Sequence, residues 1–157
     1  MSTSLTLQCI STGLVFITAI FVWWQIIEMR RSTQAQAYGV ARDILQDEKV
    51  RDARDTVFFL KANNKSIDDW SDSDIKQAQI VCHTFDSVGQ MVRNKYLQKE
   101  AIIDSWGPSI VGLWPVVEPL VKKYRTDWKA ERYWDDFEWL CGEAIEFDKA
   151  MKEKEKK

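Results

Sequence analysis

His83 is the only histidine in the chain, and it sits beside Cys82 and three residues before Asp86. A nucleophilic thiol needs a base within reach, but adjacent residues on a helix diverge by about 100° and do not face each other. A di-metal bundle needs Glu-x-x-His on two helices with further carboxylates, and this chain has a single histidine and no such motif. The helical-ribonuclease arrangement, an arginine four to six residues before a histidine, is missing as well. His83 therefore reads as a histidine at the edge of a core helix. The three cysteines are Cys9, Cys82 and Cys141, with no C-x-x-C pair and no metal-ligand spacing. They read as reduced thiols, Cys82 and Cys141 on apolar helix faces and Cys9 in the apolar N-terminal stretch. No glycine-rich phosphate loop or G-x-S-x-G element occurs. The expectation is no catalytic residue, no cofactor, no metal site, and a protein that is not an enzyme.

The remaining chemistry-bearing stretch is Lys122–Leu140, where basic residues alternate with Tyr124, Trp128, Tyr133 and Trp134. Such a pattern stacks on bases or lies against lipid headgroups when its charge is strongly positive. Residues 122–136 carry five basic and four acidic side chains, so the field nearly cancels. A helix–helix corner with Arg–carboxylate pairs fits better. Arg125 and Arg132 are the arginines to pair, with Asp136 and Glu138 as partners. Trp139 falls off the expected core face. Arg125, Trp128, Arg132 and Trp139 are the candidate partner surface. The whole chain carries 22 basic and 24 acidic residues, a net charge of −2, which argues against a nucleic-acid binder.

These residues need elements to hold them. The first 27 residues hold no charged side chain, and Leu5–Ile27 is a run of 23 residues. At about 1.5 Å per residue it spans roughly 34 Å as a helix, enough for a hydrocarbon core of about 30 Å. Trp23 and Trp24 fall where indoles favour the lipid boundary, and Arg30 and Arg31 follow. The stretch lacks the basic start and small-residue cleavage site of a secretory signal, so an uncleaved anchor over residues 1–27 is expected. The arginines place the N-terminus outside and the rest in the cytoplasm, on the inner membrane.

Within the anchor, positions 4, 8, 11, 15, 18, 22 and 25 recur at alternating spacings of four and three. They read Ser4, Gln8, Ser11, Val15, Thr18, Val22 and Gln25, a left-handed packing seam in which five members carry hydrogen-bonding side chains. Membrane helices associate through small residues and such bonds. The expectation is a homo-oligomeric anchor; a polar-lined pore is the sharper alternative.

The 130 residues that follow are the size of one domain. Six Gly and three Pro are few for a turn-rich β fold. Helices are expected over 28–46, over 48–62 with Val50, Ala53, Val57, Phe58 and Lys61 on one face, from Ser71 to about 96, over an interrupted 98–124, and over 131–152. Ser71 and Asp74 form a capping-box pattern, and Trp70 and Ile75 the accompanying hydrophobic staple. Pro108 is expected to open a new helix and Pro115 to kink one. Residues 28–152 form the domain and 153–157 a solvated tail. The fold class is all-α: one N-terminal transmembrane helix continuing into a cytosolic bundle of four to five helices.

Three further patterns carry a family resemblance. Asp-x-x-Val-x-x-Ala-Arg at Asp47–Arg54, Phe-Asp-x-Val-Gly at Phe85–Gly89 and Tyr-Trp-x-x-Phe-Glu-Trp-Leu at Tyr133–Leu140 stand behind an N-terminal anchor. Together the chain resembles bacterial proteins grouped as domain of unknown function 4760. Nearly the whole chain is covered, and the resemblance implies a small single-pass helical protein with no catalytic residues to carry over. Pro115 and Pro119 depart from a regular helix in that region. The functional expectation is a membrane-anchored interaction or scaffold protein, bound to lipid, self-associating, and presenting a helical surface to a protein partner. The alternative is an oligomeric membrane-perturbing effector in stress or phage defence.

Overall fold

A computed structural model of the chain describes the backbone of residues 2–155 and the side chains of residues 13–155. Its elements are α1 (Ser2–Gln46), α2 (Glu48–Ala62), a 3-10 turn (Ile67–Asp69), α3 (Asp72–Arg93), α4 (Lys99–Trp128) and α5 (Asp135–Glu155), with no strand among the described residues. The all-α expectation holds. The chain divides into two units, Met1–Gln36 and Ala37–Lys157.

Among its described residues the first unit is helix alone. Every described residue from Gly13 to Thr33 is exposed. Leu14, Phe16, Ile17, Ile20 and Trp23 are each 62–70% exposed. From Gly13 onward α1 is long and apolar enough to cross a membrane, and none of its apolar window is buried within the protein. Exposing that much hydrocarbon to water costs about 25 cal/mol per Å², whereas a bilayer solvates it.

The second unit is a helical bundle around a single apolar core. Ala41 and Leu45, four residues apart on the end of α1, are fully buried, while Val40 and Ile44 stay exposed. α2 starts on Asp47, whose side chain accepts a 3.0 Å bond from the Lys49 amide. It buries Val50, Ala53, Val57 and Leu60. The expected face included Phe58 and Lys61, but both are exposed. Each lies one residue, about 100°, past the buried line.

α3 begins as its local sequence dictates. Ser71 Oγ accepts from the Asp74 amide at 3.1 Å, and Asp74 Oδ2 accepts from the Ser71 amide at 3.0 Å. This reciprocal bonding satisfies two otherwise orphaned donors. Trp70, just before the cap, is buried. The buried stripe Ala78, Val81, Cys82, Phe85, Val88 and Val92 follows at helical spacing. The helix ends at Arg93, with Lys95 at φ 62° turning the chain.

α4 differs from expectation. It runs without interruption from Lys99 to Trp128 and contains Pro108, Pro115 and Pro119. Pro108 opens no new helix. A proline removes one helical bond and crowds the carbonyl four residues back. Pro108 and Asp104, its partner carbonyl, both lie on an exposed stretch where water reaches. Near Pro115, Lys61 Nζ of α2 donates to the Gly112 carbonyl at 3.1 Å. α5 starts at Asp135, later than the expected residue 131, because residues 131–134 form a turn in which Trp134 takes φ 57°.

α3 packs on α2 and α5, and α4 packs on α5 and α2. Phe85 of α3 stacks on Phe137 of α5 at 5.1 Å between ring centroids, and Trp114 of α4 meets Phe137 edge-on at 5.2 Å. At Gly89 the α3 backbone lies so close to α5 that an added Cβ would overlap the Asp136 carbonyl.

Candidate functional site

The polar and aromatic side chains converge where α3 and α4 meet the start of α5. α4 ends on Lys129 in the left-handed conformation, φ 51°, with the Ala130 amide bonded to the Arg125 carbonyl at 3.1 Å. Arg125 then holds the following turn. Its Nε donates to the Tyr133 carbonyl at 2.9 Å and its Nη1 to Glu138 Oε2 at 2.7 Å. The guanidinium thus bridges the turn and the first turn of α5.

The aromatics of this corner pack on one another. Trp128 lies 4.6 Å from Tyr124 and 5.2 Å from Tyr133, and Tyr133 lies 4.2 Å from Trp134, centroid to centroid. At these separations the rings fill their own space and enclose no room for a quaternary ammonium, which itself approaches a ring centroid within about 6 Å. Trp134 is buried, and its Nε1 donates to His83 Nδ1 at 3.2 Å. His83 meets Trp134 edge-on at 5.1 Å. That bond assigns His83 Nδ1 as an acceptor, so the imidazole orients Trp134. Trp128 remains 56% exposed and is the one large aromatic of the corner facing out.

Beside it lies a carboxylate cluster that no local sequence signal announced. Asp86 of α3, Asp135 and Asp136 offer oxygens within 4.8 Å of one another. Asp86 Oδ1 accepts from the amides of Asp136 at 3.1 Å and Phe137 at 3.3 Å. A side chain of α3 therefore satisfies donors in the first turn of α5. Arg93 closes the cluster. Its Nη1 is 2.7 Å from Asp136 Oδ1 and 3.5 Å from Asp135 Oδ2, and its guanidinium lies 4.9 Å from the Trp139 ring centroid. The short contact to Asp136 is an ion pair without hydrogen-bond alignment. Arg132 adds a 3.3 Å contact to Asp135. Burial raises the Asp86 pKa above the ordinary carboxylate value; the Phe137 amide opposes that shift, and the charge of Asp136 adds to it. A spacing of three carboxylates suits a divalent cation, but two arginines and two amides already engage these oxygens. The arrangement caps α5.

The thiols are similarly engaged by packing. Cys82 and Cys141 are buried and free. Burial raises both pKa values, that of Cys141 to about 11, so neither is a ready nucleophile at neutral pH.

The structure thus brings Arg125, Trp128 and Arg132 to one corner, while Trp139 lies half-buried against Arg93 rather than open. Glu138 pairs with Arg125 as expected, whereas Arg132 takes Asp135 and Asp136 goes to Arg93. In the first unit Trp23 and Trp24 are exposed, as are Arg30 and Arg31. Thr18 Oγ1 donates to the Leu14 carbonyl at 2.8 Å, so its proton is held within its own helix. Gln25 shares an exposed groove along the helix with Met29, Ser32 and Gln36. Ser4, Gln8 and Ser11 lie outside the residues whose side chains are described.

The family model for Domain of unknown function (DUF4760) matches residues 12–143, from the apolar helix through most of the bundle. The chain belongs to this family. The match spans the corner built by Arg125, Trp128 and Arg132, the carboxylate cap, and the buried cysteines. No curated protein and no solved structure shows a significant match.

Proposed function

We propose that the chain is a membrane-tethered helical interaction module that self-associates through its anchor. The observation that carries this reading is the unbroken exposure of the described apolar helix from Gly13 to Thr33, in a chain whose other unit has buried its own core. The side chains that would pack copies together are Ser4, Gln8, Ser11, Thr18 and Gln25. Each interhelical polar bond of this type contributes about 0.6 kcal/mol on average, or roughly threefold in association. The flanking Arg30, Arg31 and Arg42 support an orientation with the bundle in the cytoplasm of a bacterium and the N-terminus outside. The exposed Trp128, held by the Arg125 network, is the corner's contact for a protein partner. The proposed role calls on no catalysis by this chain.

The test uses the full chain in lipid vesicles. Alkaline carbonate should leave it in the membrane pellet, and donor- and acceptor-labelled copies should transfer energy. Gln25→Leu should lower the association constant about threefold. Release into the supernatant overturns the tether; a lack of energy transfer at lipid-diluted concentrations overturns self-association.

A further inference from the structure

The turn between α4 and α5 is held in an unusual shape by very few bonds. It is bracketed by two left-handed residues, Lys129 at φ 51° and Trp134 at φ 57°. For a bulky aromatic that conformation is costly, and it persists only while the surroundings hold it. Two side chains from outside the turn hold this one. Arg125 Nε donates to the Tyr133 carbonyl, and His83 Nδ1 accepts from Trp134 Nε1 at 3.2 Å. The first tie keeps its charge at every accessible pH. The second depends on an imidazole lone pair. Trp134 is only 3% exposed, whereas His83 is exposed to solvent. The acceptor is thus open to protons, and the donor it serves is shut away from water.

We propose that His83 and Trp134 form a pH-operated latch, in which the neutral imidazole holds the indole and protonation at Nδ1 releases it, freeing the 129–134 turn from α3. A neutral imidazole that accepts at Nδ1 carries its one proton on Nε2. The next proton therefore goes onto Nδ1, the atom that takes the Trp134 bond. Two N–H groups then face each other, and the indole donor is left buried without an acceptor. The imidazolium also meets Trp134 edge-on, at 5.1 Å between centroids, and the edge of an aromatic ring is its positive part. Imidazole is the side chain whose charge ordinarily changes between pH 5 and 8.

The charged and titratable neighbours leave this exchange to His83. On α3, Asp86 is one turn along and already accepts the Asp136 and Phe137 amides, and Cys82 is buried. From α5, Asp135 and Asp136 lie beside Asp86 and are held by Arg132 and Arg93. From the turn, the Tyr133 ring stands edge-on to His83 at 6.1 Å. From α4, Tyr124 packs on Trp134 at 5.6 Å, with its hydroxyl bonded to Gln79 at 2.7 Å. The carboxylates favour an imidazolium, while the buried indole favours the neutral ring. The latch needs no partner protein to operate, and it acts on the corner that carries the exposed Trp128.

His83 is the only histidine, so in a full chain without a histidine tag the single imidazole Cε1–H resonance reports its protonation. The test follows that signal and the Trp134 indole N–H together from pH 8 to pH 5, in detergent micelles with 15N-tryptophan, the Trp134 peak being assigned with Trp134→Phe. The indole peak should move upfield at the imidazole midpoint. Its exchange with solvent, referenced to the exposed Trp128 indole, should quicken about fivefold, the worth of one hydrogen bond. His83→Asn, which offers an oxygen near the place of Nδ1 and does not titrate, should give a flat profile. His83→Leu should show the acid-form signal throughout. Asp86→Asn should leave the transition in place. An indole signal unchanged through the imidazole midpoint overturns the latch, as does a transition that survives in His83→Asn or disappears in Asp86→Asn.

Discussion

Replacing Asp86 with alanine removes the acceptor of two amides at the start of α5, those of Asp136 and Phe137. Both residues are buried, Phe137 completely. Loss of a capping side chain costs about 1 kcal/mol, and a buried donor left without a partner costs about 1–3 kcal/mol. Asp86 is itself only half-buried, so water recovers part of this, and removing one carboxylate eases the crowding with Asp135 and Asp136. The net expectation for Asp86→Ala is a loss of about 2–3 kcal/mol. Asp86→Asn keeps an oxygen in place and should cost less than about 1 kcal/mol. The pH dependence separates the two contributions. Because the folded-state pKa of Asp86 is raised, the folded protein binds this proton more tightly than the unfolded chain does. The charged form is thus a penalty at neutral pH, and the penalty fades as pH falls through the folded pKa toward the unfolded value of about 3.9. The stability of Asp86→Asn relative to the parent should therefore be greatest at pH 7 and decline toward pH 4. Urea unfolding in detergent micelles, followed by tryptophan emission, measures each quantity. Equal losses for alanine and asparagine, or an alanine loss below about 0.5 kcal/mol, would refute the capping argument.

Gly89→Ala forces a Cβ against the Asp136 carbonyl, and overpacking of this kind should cost about 1–3 kcal/mol or more; an unchanged denaturation midpoint would mean that α3 and α5 separate easily. Ser71→Ala removes half of the capping box of α3 and should cost about 1 kcal/mol, read from the same urea curves, with Thr at this position restoring most of it. Maleimide at pH 7.5 should leave Cys82 and Cys141 unmodified in the folded chain and label both after denaturation, since burial keeps these thiols protonated; mass spectrometry of tryptic peptides reads the outcome.

The sequence carries its local signals plainly. Ser71 and Asp74 satisfy each other within four residues, so α3 starts where pattern alone places it. The apolar run before Arg30 is a property of composition and needs no partner to be read. The errors fall where a distant residue decides. Gly107-Pro108 reads locally as a helix start, yet α4 continues through it, with Pro108 and Asp104, the residue whose carbonyl loses its donor, both exposed. α5 starts later than its local pattern predicts, because its capping acceptor is the distant Asp86. Residues 131–134, Glu-Arg-Tyr-Trp, contain no Ser, Thr, Asp or Asn to serve as a cap, and that lack is the clue that the acceptor had to come from elsewhere. Arg125 and Glu138 could be paired from sequence because both lie near one corner. Asp136 could not, because its partner Arg93 ends a helix more than forty residues earlier.

That remote acceptor ties the order of assembly to the order of synthesis. Asp86 is made before α5 exists, and by the time residues 135–137 leave the ribosome the helix bearing Asp86 has already emerged. The closing segment of the polypeptide can therefore dock onto a template already in place instead of nucleating by itself, and in hydrogen exchange its early amides should open together with those of α3 as one cooperative block.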